Sequence, residues 1–173
     1  MVLRKHTTKE SKIQQGLEFR FMQKILVSAC LLGERCRYDG KSKPSQAVIR
    51  LFEAADLVPV PVCPEKLGGL PTPRTPCERC GGKILSEDGL DRTDAYLAGA
   101  ETVLRMCLES GCKLAILKQK SPSCGSGQIY DGSFSGRLTE GYGVTSELLI
   151  RNGIKVIDEN EAERFLLHDS ENS

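Results

Sequence analysis

Apolar and polar positions along this chain alternate between two rhythms. "KILVSA" (24–29), "LVPVPV" (57–62), "KLAILK" (113–118) and "IKVIDE" (154–159) are short, largely aliphatic runs, too brief for helices and read as strands. The two prolines of the second run suit an edge strand or a strand end, since proline gives the ladder no N–H. Between these runs the period changes. "SQAVIRLFEAA" (45–55) places Val48, Ile49, Phe52 and Ala55 at helical spacing behind a Ser-Lys-Pro start. "TDAYLAGAETVLRMCLESG" (93–111) predicts the longest helix, capped by Asp91 or Thr93 and stopped by Gly111. "GVTSELLIRNG" (143–153) and "NEAERFLLHD" (160–169) predict two more, the former closed by Asn-Gly.

Strands alternating with helices predict an α/β domain with a mainly parallel sheet of about four to five strands. Two stretches break the rhythm. Residues 63–91 are rich in Pro and Gly, with a short strand or hairpin expected in "GGKILSEDGLD"; residues 121–143 are glycine-rich and read as a long loop or hairpin. Insertions of that kind in a compact domain are often functional. Residues 1–21 are polar and read as a disordered arm or an upstream start, leaving a single domain over 22–169.

Charge adds mainly exclusions. Lys plus Arg is 24 and Asp plus Glu 23, a formal net charge of +1, so there is no basic footprint for nucleic acid. The apolar runs are too short to span a bilayer, and the N-terminus has no signal-peptide core. A cytoplasmic protein is expected.

Cysteine usage changes the picture. There are eight, at 30, 36, 63, 77, 80, 107, 112 and 124, which in a reducing compartment points to metal ligation or catalysis rather than disulfides. The two histidines, His6 and His168, lie in the terminal segments, which argues against Ser-His-Asp, Cys-His and His-rich zinc sites. Cys30 follows the first strand in "SACLLG", Cys63 the second in "VCPEKLGG", and Cys124 the third in "SPSCGSG". In an open parallel sheet the carboxyl ends of the strands are where ligands gather, so topology can bring these three thiols to one rim. Taken singly, each could equally be a small buried hydrophobe. Cys107 and Cys112 read as core or cap residues of the long helix. Cys36 is a fourth thiol or a bystander, and "PCERC" (76–80) is half of a zinc knuckle, a redox dithiol or an incidental pair. Three thiolates without a fourth ligand suit an iron–sulfur cluster better than closed structural zinc. Glu65, two residues beyond Cys63, would stand at the same rim as a general acid or base, or else cap loop amides.

These motifs, together with "VPVCPEKLGGLPTPRTPCE", "TDAYLAGAE" and "ILKQKSPSCGSGQIYDGSFSGRLTEGYGVTSELL", closely resemble the bacterial thiouracil desulfurase family, first described as a domain of unknown function. The likeness runs from about residue 22 to 159. It implies a Rossmann-like three-layer α/β fold with Gly/Pro-rich insertions at the carboxyl rim. It also implies a [4Fe-4S] cluster held by Cys30, Cys63 and Cys124. By the same analogy the open cluster iron accepts sulfur from a thiolated pyrimidine base, of the 2-thiouracil-to-uracil class, while a carboxylate matching Glu65 activates water. Ser121 and Ser123, with amides of the Gly-rich loop, would hydrogen-bond the base, and Lys118 is an electrostatic partner or a solvated strand end. The expected partner is a small thiolated base or nucleoside, not nucleic acid or membrane, with a homodimer as the oligomeric state considered. The competing class is a non-catalytic redox or zinc-binding α/β protein, and the extra thiols, the N-terminal arm and "PCERC" are where the chain departs from the family pattern.

Overall fold

The computed structural model describes residues 23–54 and 56–164; the arm expected over 1–21 and the last five residues of the closing helix lie outside them. Four parallel strands form the central sheet: β1 (Gln23–Ser28), β2 (Leu57–Val62), β5 (Leu114–Leu117) and β8 (Lys155–Asp158), in the spatial order β2-β1-β5-β8. Register runs from Gln23 opposite Leu57 to Ser28 opposite Val62, and Leu26 and Val27 face Ala115 and Ile116 across β1 and β5. The count sits at the lower end of the expected four to five. β2 is an edge strand. Pro59 and Pro61 share one parity along it, so both missing N–H groups fall on the side away from β1.

Two-residue alternation in the strands sorts the core into two layers. Ile25, Val27, Ile116 and Ile157 pack with Val48, Leu51 and Phe52 of α1 (Gln46–Ala54) and with Ala162 of the helical segment 159–164. Leu26, Ala115 and Leu117 pack the other way, with Val103 and Cys107 of α3 (Thr93–Ser110) and Leu149 of α4 (Val144–Arg151). Strands covered on both faces explain why their sequences are near-continuous apolar runs. The result is the three-layer α/β arrangement. Among the described residues no helix is long and apolar enough to cross a membrane.

The Pro/Gly-rich stretches are the two insertions. A single 3-10 turn, Ala29–Leu32, follows β1, and α2 (Pro64–Leu67) follows β2. β3 (Cys77–Cys80) and β4 (Lys83–Ser86) form one antiparallel hairpin; β6 (Ser126–Tyr130) and β7 (Leu138–Tyr142) form another. "CERC" is therefore a strand, in which the two cysteines point to opposite faces and cannot act as a zinc knuckle's pair. The start of α3 also differs in detail from expectation. Its N-cap is Arg92, which makes no side-chain cap, while Asp91 accepts the Thr93 N–H at 3.0 Å and the Thr93 hydroxyl oxygen accepts the Ile84 N–H at 3.0 Å. Asp91 thus satisfies the first free helical amide from one residue further out, and Thr93 ties the helix to β4. Gly111 ends it in the left-handed region at φ 72.

Candidate functional site

Strand order locates the site. The chain leaves β1 for β2 on one side and later returns to β5 on the other, so the carboxyl ends of β2, β1 and β5 lie side by side at the reversal, where open α/β sheets bind ligands. A cavity of about 450 Å³ opens there, in the roughly 300–1,000 Å³ range of small-molecule sites. Cys30, Cys63 and Cys124 all line it, delivered by the 3-10 turn after β1, the N-cap of α2 and the loop after β5. Cys36 lines it as well, only 2 % exposed, and its carbonyl accepts a contact from the Cys63 thiol at 3.6 Å. The sequence left Cys36 open; its place in the cavity was hidden because the turn at Gly33 folds the segment back. Cys77 also reaches the cavity, whereas Cys80 points to Gly132 and Cys107 and Cys112 are buried in the core. All eight thiols are free.

Cys36, Cys63 and Cys124 are pushed toward the neutral thiol by their surroundings. Hydrogen bonding with Cys30, opposed by the bond with Cys63 and aided by burial, pushes Cys36 up to about 11, and burial pushes Cys124 up to about 12 against the opposing hydroxyl of Ser28. Cys63 is raised too, by its hydrogen bond with Cys36 and by burial. Among the described residues no three Cys, His, Asp or Glu groups converge closely enough to share one metal ion. A polynuclear cluster makes a different demand, because each thiolate binds its own iron and the donors stand apart around a common volume. Soft sulfur donors from three strand ends around a single cavity, with no imidazole among them, fit a [4Fe-4S] cluster.

Cys124 is the most elaborately placed. The Ser121 hydroxyl accepts the N–H groups of Ser123 and Cys124, each at 3.1 Å, closing the turn at "SPSC". The amino end of α4 is laced to the same loop: Val144 N–H to Pro122 O at 2.9 Å, Thr145 N–H to Ser123 O at 2.9 Å, and the Ser146 hydroxyl to Cys124 O at 2.7 Å. Gly143 permits this, because a Cβ there would lie 2.4 Å from the Ser123 carbonyl. Ser28, at the end of β1, accepts the Lys118 N–H at 2.9 Å and hydrogen-bonds the Cys124 thiol. Ser121 lines the cavity. Ser123 does not: it is 1 % exposed and shares its hydroxyl with Thr145 at 3.0 Å, which places it in the support of the loop. Lys118 lines the cavity, but its ammonium pairs with Glu159.

Glu65 faces the cavity from α2 and has a partner that sequence spacing gave no sign of. Arg74 places Nε and one terminal nitrogen on Glu65 Oε2 at 2.7 and 2.6 Å, and its remaining N–H groups reach Pro71 O, Thr72 Oγ1 and Cys36 O at 3.1, 3.2 and 3.0 Å. Every guanidinium donor is used, in the fork geometry only arginine offers. The pair is nearly buried, at 6 % and 13 % side-chain exposure. Oε1 of Glu65 makes no hydrogen bond to a described protein group. A carboxylate held this way is an acceptor with one free oxygen, suited to orient or deprotonate water rather than to donate a proton.

Tyr38, Tyr96, Tyr130 and Phe134 also line the cavity, as do Lys120 and Glu78. Lys120 and Phe134 are the described non-glycine residues with left-handed backbone, at φ 64 and 54. Such conformations cost about 1–3 kcal/mol each and persist where neighbours impose them.

The comparisons with known proteins agree with this geometry. Among curated proteins the chain is 43 % identical over 152 residues to the uncharacterised protein YbbK of Bacillus subtilis (strain 168), covering 82 % of this chain and 99 % of that one. Among solved structures it matches a [4Fe-4S]-dependent thiouracil desulfidase, TudS, with a TM-score of 0.76 and 47 % identity, over 86 % of this chain and 98 % of the other. The family described as 2-thiouracil desulfurase matches residues 25–161, which takes in every cysteine of the cavity together with Glu65, Arg74 and the loop stitched to α4. A cavity walled by thiols at three neighbouring strand ends is thus set within a match that spans the described fold, and the chain belongs to the 2-thiouracil desulfurase family.

Proposed function

We propose that this protein is a [4Fe-4S]-dependent desulfurase that removes sulfur from a thiolated pyrimidine base of the 2-thiouracil class, leaving the oxo-base. The observation that carries the reading is the convergence of Cys30, Cys63 and Cys124 on one cavity that also holds the Arg74-paired Glu65. Cys30, Cys63 and Cys124 would hold the cluster. When bound, it supplies a Lewis-acidic iron that polarises a thiocarbonyl and accepts its sulfur. Glu65 offers its free oxygen to a water beside the thiocarbonyl carbon and takes the proton that water loses. Ser121, whose oxygen already accepts two amides, keeps its hydroxyl hydrogen to donate to the base's carbonyl. Ser123 acts one step back, holding the turn that presents Cys124. Eight free thiols and a small ligand fit a cytoplasmic enzyme.

Serine substitution of each cysteine, with iron measured after anaerobic reconstitution, tests the ligand set. Cys30→Ser, Cys63→Ser and Cys124→Ser each lose most of their iron, while Cys107→Ser retains it. Iron unchanged in Cys124→Ser, or zinc in place of iron in the wild type, rejects the proposal. Glu65→Gln retains iron and converts 2-thiouracil to uracil at least about a hundredfold more slowly, the scale of a lost general base.

A further inference from the structure

We propose that Phe134 is the platform on which the substrate's planar ring lies, and that Glu78, from inside the Cys-Glu-Arg-Cys strand, is the positioning residue that holds it there. The inference rests on the desulfurase reading of the cavity and adds what recognises the ring. Phe134 stands in a loop between β6 and β7 and lines the cavity with a left-handed backbone, φ 54. Asparagine and aspartate tolerate that region through local hydrogen bonds of their own; phenylalanine has none to make, so the conformation must be imposed. Glu78 imposes it. Its Oε2 accepts the N–H groups of Gly132 at 2.9 Å and Phe134 at 3.0 Å, and the residue is 8 % exposed. The contact is backed on both sides. Cys80 directs its thiol to Gly132 O at 3.3 Å, and a Cβ on Gly132 would meet Arg79 O at 2.8 Å.

A buried carboxylate committed to two amides of a surface loop is costly unless the loop's shape matters, and the side chain so aimed is a flat hydrocarbon with nothing polar to offer. Two of the cavity's three tyrosine rings have other commitments: Tyr96 is buried with its hydroxyl on Cys77, and Tyr38 carries the Arg37 guanidinium 5.7 Å from its ring centre. The third, Tyr130, lies on β6 itself, and among the described residues no buried carboxylate fixes its backbone as Glu78 fixes that of Phe134. Glu65 and Ser121 supply polar contacts to ring edges. What they lack is a face, and stacking on an aromatic side chain is how bases are gripped through theirs. The hairpin whose cysteines suggested zinc would then serve as the bracket for this ring.

The test uses iron-loaded protein, with 2-thiouracil turnover and calorimetric binding of uracil and of 5,6-dihydrouracil, whose saturated ring is puckered. Wild type should bind uracil more tightly than dihydrouracil. Phe134→Ala and Phe134→Leu should raise KM roughly tenfold, the order that loss of one base–aromatic stack gives, with kcat and iron within about twofold, and should abolish the preference for the planar ring. Phe134→Tyr should restore both. Glu78→Ala, with Phe134 in place, should reproduce the KM rise and the lost preference. Unchanged KM, or a preference that survives in Phe134→Leu, overturns the platform; a Glu78→Ala protein that behaves as wild type overturns the bracket. A wild type that takes up iron but neither desulfurates nor binds either ring refutes the desulfurase reading itself, and this inference falls with it.

Discussion

Arg74 shows how much a single side chain carries in this site. Its five donors link α2, the Pro71–Thr72 turn and the Cys36 carbonyl, so the carboxylate of Glu65 and the backbone of a cavity cysteine share one guanidinium. An ammonium cannot reproduce a planar fork. Arg74→Lys should therefore keep its iron yet slow desulfuration by tenfold or more, with Glu65 misaimed. Arg74→Gln leaves a nearly buried carboxylate without a counter-charge and should lose about 3 kcal/mol of stability in urea unfolding, the scale for breaking a buried pair from one side. A stability loss in Arg74→Gln no larger than that of an exposed substitution would show that the pair is not shielded from water. None of this was visible in the sequence, where Arg74 is one residue in "PTPR" and its partners beyond that stretch, Glu65 and Cys36, lie nine and thirty-eight positions away.

At the scale of elements, two contacts hold α3 in place. α2 and α3 meet through glycines: a Cβ on Gly99 would lie 2.0 Å from Pro64 O, and one on Gly68 would lie 2.0 Å from Ala95 O. Pro64 sits between Cys63 and Glu65, so pushing the helices apart moves a proposed ligand and the proposed base together. Gly99→Ala should cost about 1–3 kcal/mol, as overpacking does, and lower the iron taken up; Gly82→Ala, in open space, should change stability by less than about 0.5 kcal/mol. Equal effects would refute the close approach. The second contact is Asp91 at the start of α3. Hydrogen bonds from Thr93, followed by the Lys83 ammonium, lower its carboxyl from 3.8 to about 2. A depressed folded value means stability that is present above 3.8 and lost as pH falls through about 2. The melting-point gap between wild type and Asp91→Ala should thus be full at neutral pH and close across that interval; a gap independent of pH would remove the carboxylate from the account.

For the whole molecule, the cluster would join the segments after β1, β2 and β5 at one point, adding to the bonds that Cys63 and Arg74 already make to the Cys36 carbonyl. Ligation in the folded state alone adds stability by mass action, and for a chain of this size 1 kcal/mol is about 2–4 °C. Iron-loaded protein should melt at least about 5 °C above protein stripped with a chelator under anaerobic conditions. Identical melting points would mean that the three thiols are not bridged. A further tie is the Lys118–Glu159 pair, whose carboxylate also accepts the Gln119 N–H at 2.9 Å and so secures the end of β5 to the segment after β8.

The sequence alone determined the alternation of strands and helices, the parallel sheet, the two insertions, and the placement of Cys30, Cys63 and Cys124 just beyond strand ends. Those features are local: strand burial sets an apolar run, helix packing sets a period near four, and the rim position of a cysteine follows from counting past a run. Only the tertiary structure decided that Cys36 and Cys77 join the cavity, that Ser123 stays behind it, that Arg74 grips Glu65, and that Glu78 bends the backbone of Phe134. Each of these rests on a hydrogen bond or close contact between residues distant along the chain, fifty-six positions in the last case. Such a pairing leaves no period in the sequence, because its energy depends on where two chain segments come to rest in space and not on what either segment is by itself.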